Sequence, residues 1–287
     1  MSEKKWDVYV YGDVNADIII PGVEKLPAPG QEELVSSMET YVGGGAALFT
    51  LGLGKLGLHP VFQGAVGDDC YGHMIRETFE RAGVDTELLV TGKDERTGIS
   101  LSFTNAHDRS FLTYRGTNAD LSMDRVKIEK AGRARHIHVT GYEGEECHDS
   151  YARLLRRVKR ETGATVSFDV GWDPTGSWSS RIYELFPWID VLFMNETEAE
   201  HYGKTDSPEE AAVRFARECG QTVIKLGKKG SLAVKDGVVY HRPSYRVEAV
   251  DTTGAGDSFN AGYIYGFLKG EAIERCLQYG NICGAFS

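Results

Sequence analysis

The stretch "DTTGAGDSFNAGYIYGF" (251–267) sets small residues and one acid directly before an apolar run of helical character. Gly254 and Gly256 permit backbone angles that are closed to other residues, and they carry no side chain that would block a ligand. Their N–H groups, with that of Ala255 and those of the helix start, can converge on a phosphoryl group during transfer. Asp257 would repel a resting phosphate, but as a general base it would accept the proton of an attacking hydroxyl. The stretch therefore predicts a phosphoryl-transfer site, with a simple helix cap by Asp257 as the alternative.

The composition of the chain narrows the classes of partner. The 287 residues carry a net charge of −10, which disfavours nucleic acid and anionic membranes because both attract basic surfaces. The start "MSEKKWDVYVYG" lacks the apolar core of a signal peptide, and no run approaches the roughly 18 apolar residues of a membrane span. The five cysteines form no CxxC pair. These features predict a soluble, cytoplasmic protein with reduced thiols.

Short β-branched or aromatic runs alternate with helical patterns along most of the chain. The strand-like runs are "DVYVYG" (7–12), "HPVFQGAVG" (59–67), "HIHVTG" (136–141), "ATVSFDVG" (164–171), "IDVLFMN" (189–195) and "TVIKLG" (222–227). Helical spacing follows in "SYARLLRRVKRET" (150–162) and in "SPEEAAVRFAREC" (207–219), where Ser207 and Glu210 predict a capping box. The alternation predicts an α/β fold with a mostly parallel sheet, helices on both faces, and ligands at the carboxyl ends of the strands.

Two stretches interrupt this alternation. Residues 97–116 read as two strands joined by the turn "NAHD", and residues 17–42 contain the alternating "ELVSSMETYV". We expect both to be antiparallel and to form one small sheet that projects from the main domain, with ordinary edge strands as the alternative. "KDG" (235–237) predicts a further hairpin. Because no repeat or linker is visible, residues 1–287 read as one domain with this appendage.

Six elements, in the same order, resemble those of the ribokinase-like, or PfkB, carbohydrate kinases. Besides the stretch at 251–267 they are "YGDVNADIII" (11–20), "GGGAALFTLGLGKLG" (43–57), "GAVGDDCYGHMIRETFERAGVDT" (64–86), "NETEAE" (195–200) and "KLGKKG" (225–230). The resemblance covers nearly the whole chain and implies a three-layer α/β sandwich. It also implies that residues 17–42 and 97–116 form a lid over the acceptor, and that the lid forms a homodimer contact.

The resemblance implies an activity and assigns its catalytic residues. The implied reaction moves the γ-phosphate of ATP, with Mg²⁺, to a hydroxyl, usually a primary one, of a sugar or sugar-derived molecule. Asp257 matches the catalytic base, and Gly254, Ala255 and Gly256 match the anion hole.

Further matches lie around the ATP phosphates and the nucleotide. Asn195 and Glu198 share one helix face, and Glu198 would order Mg²⁺ through water. The positions that match nucleotide-lining residues are Asn195, Lys225, Gly227, Gly230 and Asn281. Those that in many members help to hold a monovalent cation, here K⁺, are Asp251 and Thr253.

On the acceptor side, Asn15 and Asp17 match residues that hydrogen-bond sugar hydroxyls. Gly43, Gly44 and Gly45 would let the backbone approach the sugar closely.

The chain departs from the family pattern on that same side. Leu48 stands where the glycine-rich signature normally has an Asn that contacts a substrate hydroxyl. Because leucine cannot replace that hydrogen bond, worth about 1–3 kcal/mol when buried, we expect the acceptor to lack one hydroxyl or to present it differently. "FDVGWDP" (168–174) also departs from the usual D-x-N-x-R. The chain stops at Ser287, inside the last predicted helix, and we expect the natural protein to continue.

An ATP-dependent sugar kinase is therefore the leading interpretation. A nucleoside kinase of the same family is the main alternative, because Leu48 and Phe49 could face a base. A non-catalytic sugar-binding protein would have no use for Asp257 beside an anion hole. A dinucleotide oxidoreductase would need G-x-G-x-x-G after the first strand, where the chain has "YGDVNAD".

Overall fold

The computed structural model describes residues 4–23, 26–104, 109–247 and 254–287. Thirteen strands form within these residues: β1 Trp6–Tyr11, β2 Asn15–Pro21, β3 Glu39–Gly43, β4 Pro60–Gly67, β5 Leu89–Gly92, β6 Gly98–Thr104, β7 Arg109–Tyr114, β8 Ala134–Thr140, β9 Thr165–Asp169, β10 Val191–Asn195, β11 Thr222–Lys225, β12 Ser231–Lys235 and β13 Val238–Arg242. The α-helices of the same residues are α1 Gly45–Lys55, α2 Cys70–Arg81, α3 Ile128–Ala131, α4 His148–Glu161, α5 Glu196–Gly203, α6 Pro208–Phe215, α7 Ala255–Lys269 and α8 Ile273–Ala285.

Nine of these strands form one large sheet, in the order β13-β12-β11-β10-β9-β8-β1-β4-β5. From β5 to β11 every neighbouring pair is parallel, and only β12 and β13 run antiparallel. The predicted mostly parallel sheet is confirmed. The hairpin predicted at "KDG" is also confirmed, since Asp236 and Gly237 take φ values of 51° and 76° between β12 and β13.

Helices cover both faces of the large sheet and make the fold three-layered. In β1, Val8 and Val10 pack toward α1, α2, α7 and α8, whereas Tyr9 and Tyr11 pack toward α3, α4, α5 and α6. A strand buried on both faces must be apolar throughout, which explains the continuous hydrophobic run of β1. None of the helices in the described ranges is both long and apolar enough to cross a membrane.

Four strands form a second, smaller sheet in the order β3-β2-β6-β7. This confirms that the two interrupting stretches come together. Within each stretch the pairing is antiparallel, as predicted, but β2 and β6 join the two stretches in parallel. The predicted turn "NAHD" (105–108) lies outside the described residues. We call this sheet the lid, after the role that the family resemblance implies.

The helix α6 begins with only half of the predicted capping box. The Ser207 hydroxyl accepts a hydrogen bond from the Glu210 N–H at 3.3 Å. The Glu210 carboxylate instead accepts a hydrogen bond from the Thr205 hydroxyl at 3.0 Å. The competing hydroxyl two residues before the cap explains why the reciprocal bond does not form.

Candidate active site

Polar residues gather where the parallel strands of the large sheet end. The strand register places Thr140 of β8 opposite Asp169 of β9, and Asn195 of β10 opposite Lys225 of β11. Because parallel strands end at one edge of the sheet, residues distant in sequence meet there. This edge is where ligands of such sheets bind.

A buried ion pair lies at the centre of this edge. The Lys225 ammonium donates to Asp169 Oδ2 at 2.8 Å, and the Asn260 amide of α7 donates to the same oxygen at 2.5 Å. Burial opposes the charge of Lys225, but the field of Asp169, Glu198 and Asp257 outweighs it and raises the pKa of the ammonium. Lys225 is therefore held as a cation among acids.

Asp257 lies in the first turn of α7, next to this pair. A Cβ atom added to the neighbouring Gly256 would stand 3.4 Å from Lys225 Nζ. Asp257 is half-buried as a residue, and its carboxyl group is surrounded by protein. Burial, with the charges of Asp169 and Asp13, raises the pKa of Asp257 to about 8, and Lys225 opposes the rise. A carboxyl with this pKa is a stronger proton acceptor than an ordinary aspartate.

The glycine-rich segment before α1 accommodates three different aspartates. A Cβ atom added to Gly43 would lie 2.1 Å from the carboxyl carbon of Asp17. At Gly44, with φ of 96°, it would lie 2.8 Å from the Asp13 carbonyl oxygen. At Gly45 it would lie 3.2 Å from Asp257 Oδ1. Neighbouring atoms of the protein thus leave little room for a Cβ at these positions, and of the three glycines only Gly45 lies against the predicted base.

Two cavities flank this glycine-rich segment. The first, of about 340 Å³, is lined by Asp13, Asn15, Gly45, Arg115, Thr140 and Glu143, among others. The second, of about 850 Å³, lies under the lid and is lined by Asp17, Tyr41, Leu48, Gly254, Ser258 and Phe286, among others. Both fall in the size range of small-molecule sites. The predicted acceptor residues are therefore divided: Asn15 and Gly45 line the first cavity, and Asp17 and Leu48 line the second.

Asn195 and Glu198 form a closed capping box at the start of α5. Glu198 N–H donates to Asn195 Oδ1 at 2.8 Å, while the Asn195 backbone and side-chain amides donate to the two Glu198 oxygens at 2.8 and 2.7 Å. Burial and the charge of Asp169 raise the pKa of Glu198 to about 7, and Lys225 opposes the rise. Glu198 is buried. A glutamate at an ordinary surface helix start would be solvated.

The nucleotide-matching residues differ in their surroundings. A Cβ atom at Gly227 would meet open space, whereas at Gly230 it would lie 2.0 Å from the carbonyl oxygen of Arg242. Asn281 of α8 donates to the carbonyls of Arg242 and Pro243 at 3.3 and 3.2 Å. Gly230 and Asn281 therefore tie β13 to its neighbours, while Gly227 leaves room for a ligand. Asp251 and Thr253 lie outside the described residues.

Comparison with known proteins decides the family. The model of the pfkB family carbohydrate kinases matches residues 5–287. The chain belongs to the PfkB family of carbohydrate kinases.

Relatives and solved structures agree with this kinase assignment. An ATP-dependent ribose-1-phosphate kinase of Halopiger xanaduensis is 30% identical, with 96% of this chain and 90% of the relative covered. An Arabidopsis thaliana ribokinase complexed with ribose and ATP is 26% identical, covers 98% of this chain and 91% of that one, and gives a TM-score of 0.83. A putative ribokinase II from E. coli, in complex with ATP and Mg²⁺, is 25% identical, covers 98% and 92%, and gives 0.83. This PfkB kinase is thus an ATP-dependent enzyme that phosphorylates a sugar or sugar-derived molecule, and the nucleoside and non-catalytic alternatives are not favoured.

Three polar residues of the PfkB kinase site escaped the sequence-based prediction. Asp169 and Thr140 end buried strands, and Asn260 lies one turn after Asp257. In each, one buried oxygen has no hydrogen-bond partner among the described residues: Asp169 Oδ1, Thr140 Oγ1 and Asn260 Oδ1. Buried oxygens without partners are costly, so their presence beside Lys225 and Asp257 fits a ligand that supplies donors. The sequence feature that could have identified Asp169 and Thr140 is a polar residue at the end of an apolar strand.

Proposed function

We propose that the PfkB kinase transfers the γ-phosphate of ATP to a primary hydroxyl of a sugar in the first cavity, with Asp257 as general base. The contact between Gly45 and Asp257 carries this proposal. Gly45 lines the first cavity, and a Cβ atom there would lie 3.2 Å from Asp257 Oδ1. A hydroxyl held against Gly45 would therefore lie close to the Asp257 carboxylate.

The chemistry assigned to this geometry is a direct displacement at phosphorus. The acceptor oxygen forms a bond to the γ-phosphorus, the bond to the ADP oxygen breaks, and the hydroxyl proton passes to the Asp257 carboxylate. Gly254, Ala255 and Gly256 open α7, whose N–H groups and positive dipole end stabilise the charge on the transferred group. Support comes from Gly254 itself, the N-cap residue, which has φ of 74° and no side chain to occupy those N–H groups.

We infer that ATP lies along the carboxyl ends of β10 and β11. Asn195, Lys225 and Gly227 would line its phosphates and sugar, and Gly230 and Asn281 would hold β13 beside it. Acids outnumber the cation Lys225 at this edge, since Asp169, Glu198 and Asp257 all act on it. A polyphosphate therefore needs added positive charge, and Mg²⁺ supplies it.

Mg²⁺ fits this site as an ion that arrives with the nucleotide. No cluster of three His, Cys, Asp or Glu residues in the described ranges could cage a metal. Glu198 would hold the ion through water, because hydrogen bonds from Asn195 already engage both of its oxygens. For Asp251 and Thr253, the proposed K⁺ ligands, support comes from the family resemblance of "DTTGAGD".

We infer further that the lid mediates a homodimer and that residues 1–287 act as one kinase domain in the cytoplasm. On β7 of the lid, Leu112 and Tyr114 point to the same face of the sheet and are 56% and 57% exposed, an apolar surface that a second copy would cover. The family match from residue 5 to residue 287 supports one domain. All five cysteines are free thiols, which suits a reducing compartment.

A panel of acceptors tests the proposed function. ADP release is measured with ATP and Mg²⁺ for D-ribose, ribose 1-phosphate, hexoses, deoxysugar acids and nucleosides. Phosphorylated sugars belong in the panel because Arg115 brings a cation to the first cavity. We expect one sugar class to give saturable turnover and the product to carry phosphate on a primary carbon. Turnover confined to nucleosides, or phosphate on a secondary hydroxyl, would contradict the proposal.

A further inference from the structure

Asp13 caps a helix that begins 32 residues later in the chain. It follows β1, and its two carboxylate oxygens accept hydrogen bonds from the N–H groups of Gly45 and Ala46, both at 3.1 Å. The helix α1 has no cap of its own, because its N-cap residue is Gly44 and its first turn holds no acid. Asp13 is therefore the anion that satisfies this helix start.

The hydrogen bonds from Gly45 and Ala46 to Asp13 also fix part of the wall of the first cavity. Gly45 lies between two carboxylates, with Asp13 on its N–H group and Asp257 beside the position that its Cβ would occupy. Asp13 also lines the first cavity together with Gly45. A change at Asp13 would therefore move Gly45 relative to the base that it faces.

The charge of Asp13 acts on Asp257 as well. The groups that face Asp257 are Asp169 from β9, Lys225 from β11 and Asp13 from the loop after β1. Lys225 favours the ionised carboxylate, whereas the two acids favour the protonated form. Asp13 also neutralises the positive dipole end of α1, which would otherwise weaken a base placed beside it.

We propose that Asp13 is a positioning residue for phosphoryl transfer, which fixes Gly45 against Asp257 and strengthens Asp257 as a proton acceptor. The inference rests on the proposed function, because it needs Asp257 to be the base. Asp13 precedes the acceptor-type Asn15 by two residues.

The test compares Asp13→Asn with Asp7→Asn as its matched control. Asp7 also accepts a hydrogen bond from a backbone N–H, that of His59 at 2.9 Å, but it lies at the opposite end of β1. Titration of the Asp257 carboxyl is followed by carbon-13 NMR, with the signal assigned through Asp257→Asn. We expect Asp13→Asn to lower the midpoint of that titration by about 0.5–1 pH unit and Asp7→Asn to leave it in place.

Kinetics with the best sugar of the panel give the second readout. We expect the acid limb of kcat/KM to move to lower pH in Asp13→Asn, and the plateau to fall by about 3- to 30-fold because a weaker base meets a displaced Gly45. Asp13→Glu keeps the charge and shifts the cap, so its acid limb should stay near that of the parent while its plateau falls. This variant also serves if Asp13→Asn does not fold.

The outcomes separate the two proposals. If Asp257→Asn is inactive while Asp13→Asn leaves both the titration and the acid limb in place, Asp13 is only a helix cap and this inference is overturned. If Asp257→Asn retains turnover, the proposed base itself is wrong.

Discussion

Two glycine-rich helix starts meet at the same carboxyl group, and they differ in what their N–H groups already bind. At α1, Gly45 and Ala46 donate to Asp13, so an acid of the protein occupies that start. At α7, the N-cap residue Gly254 adopts a left-handed conformation and has no side chain with which to cap the turn. At α1 the N–H groups of the helix start thus hold a side chain of the protein. At α7, we propose, they hold the transferred phosphate. Within the described residues, the start of α1 has a side-chain cap and the start of α7 has none.

Asp257→Asn should give the largest effect, because that carboxyl is the proposed base and lies beside both helix starts. We expect turnover to fall by about 10²–10⁴-fold while the fold and ATP binding are retained. In the parent, only the ionised carboxylate accepts a proton and its pKa is raised to about 8. The parent rate should therefore fall about tenfold for each pH unit below 8, and the variant should lose this dependence. Turnover within about threefold of the parent at saturating substrate would refute the assignment.

Alanine at Gly254 and at Gly45 tests whether the two starts have different roles. In Gly254→Ala the residue must hold φ of 74°, and its Cβ would lie 2.7 Å from Leu48 Cδ1. Strain of about 1–3 kcal/mol predicts a roughly 5- to 150-fold loss of kcat. In Gly45→Ala the Cβ would be 3.2 Å from Asp257 Oδ1, so we expect the KM for the sugar to rise more than kcat falls.

A double variant separates these two effects. Leu48→Ala should partly rescue Gly254→Ala by removing the side chain that the new Cβ meets, but it should not rescue Gly45→Ala. Equal rescue of both variants would show that the two helix starts respond as one unit.

Leu48→Asn tests which of the two cavities binds the sugar. The sequence predicted that Leu48 would face a missing sugar hydroxyl, but the structure places it in the second cavity, against Gly254. An amide there costs about 1–3 kcal/mol if it finds no partner. We therefore expect kcat/KM to fall by a similar factor for every sugar of the panel, whereas Asn15→Ala, in the first cavity, should reorder the sugars. A panel reordered by Leu48→Asn would instead support the expectation drawn from the sequence.

Glu198→Gln should give the smallest effect, a rise of a few-fold in the Mg²⁺ concentration for half-maximal rate, since one charge near the metal shell is lost. Glutamine keeps an oxygen for the Asn195 capping bond, so stability should change little. Glu196→Gln is the matched control, because Glu196 lies in the same turn but pairs with exposed Lys229. If both variants titrate like the parent, Glu198 has a structural role alone.

Most of the architecture could be predicted because its signals are local. Apolar strands such as β1 and β10, and the turn at Asp236–Gly237, follow from residue types at short spacing. The direction of the β2–β6 pair could not be predicted, because it depends on how two distant stretches dock. The sequence predicted a complete capping box at Ser207, but only half of it forms. The Thr205 hydroxyl donates to the Glu210 carboxylate instead, and the Ser-x-x-Glu pattern does not include Thr205.

The sequence by itself determined the fold class and the segment that holds Asp257, because periodicity and a contiguous motif carry that information along the chain. Only the tertiary structure decided which helix start is already capped, which cavity each acceptor-type residue lines, and which charges surround the base. Asp169 and Lys225 end the strands β9 and β11, Asp13 follows β1, and the register of the sheet brings these three distant segments to one edge. Hydrogen bonds and charge interactions act over a few ångströms of space, so the distance along the chain does not reveal them.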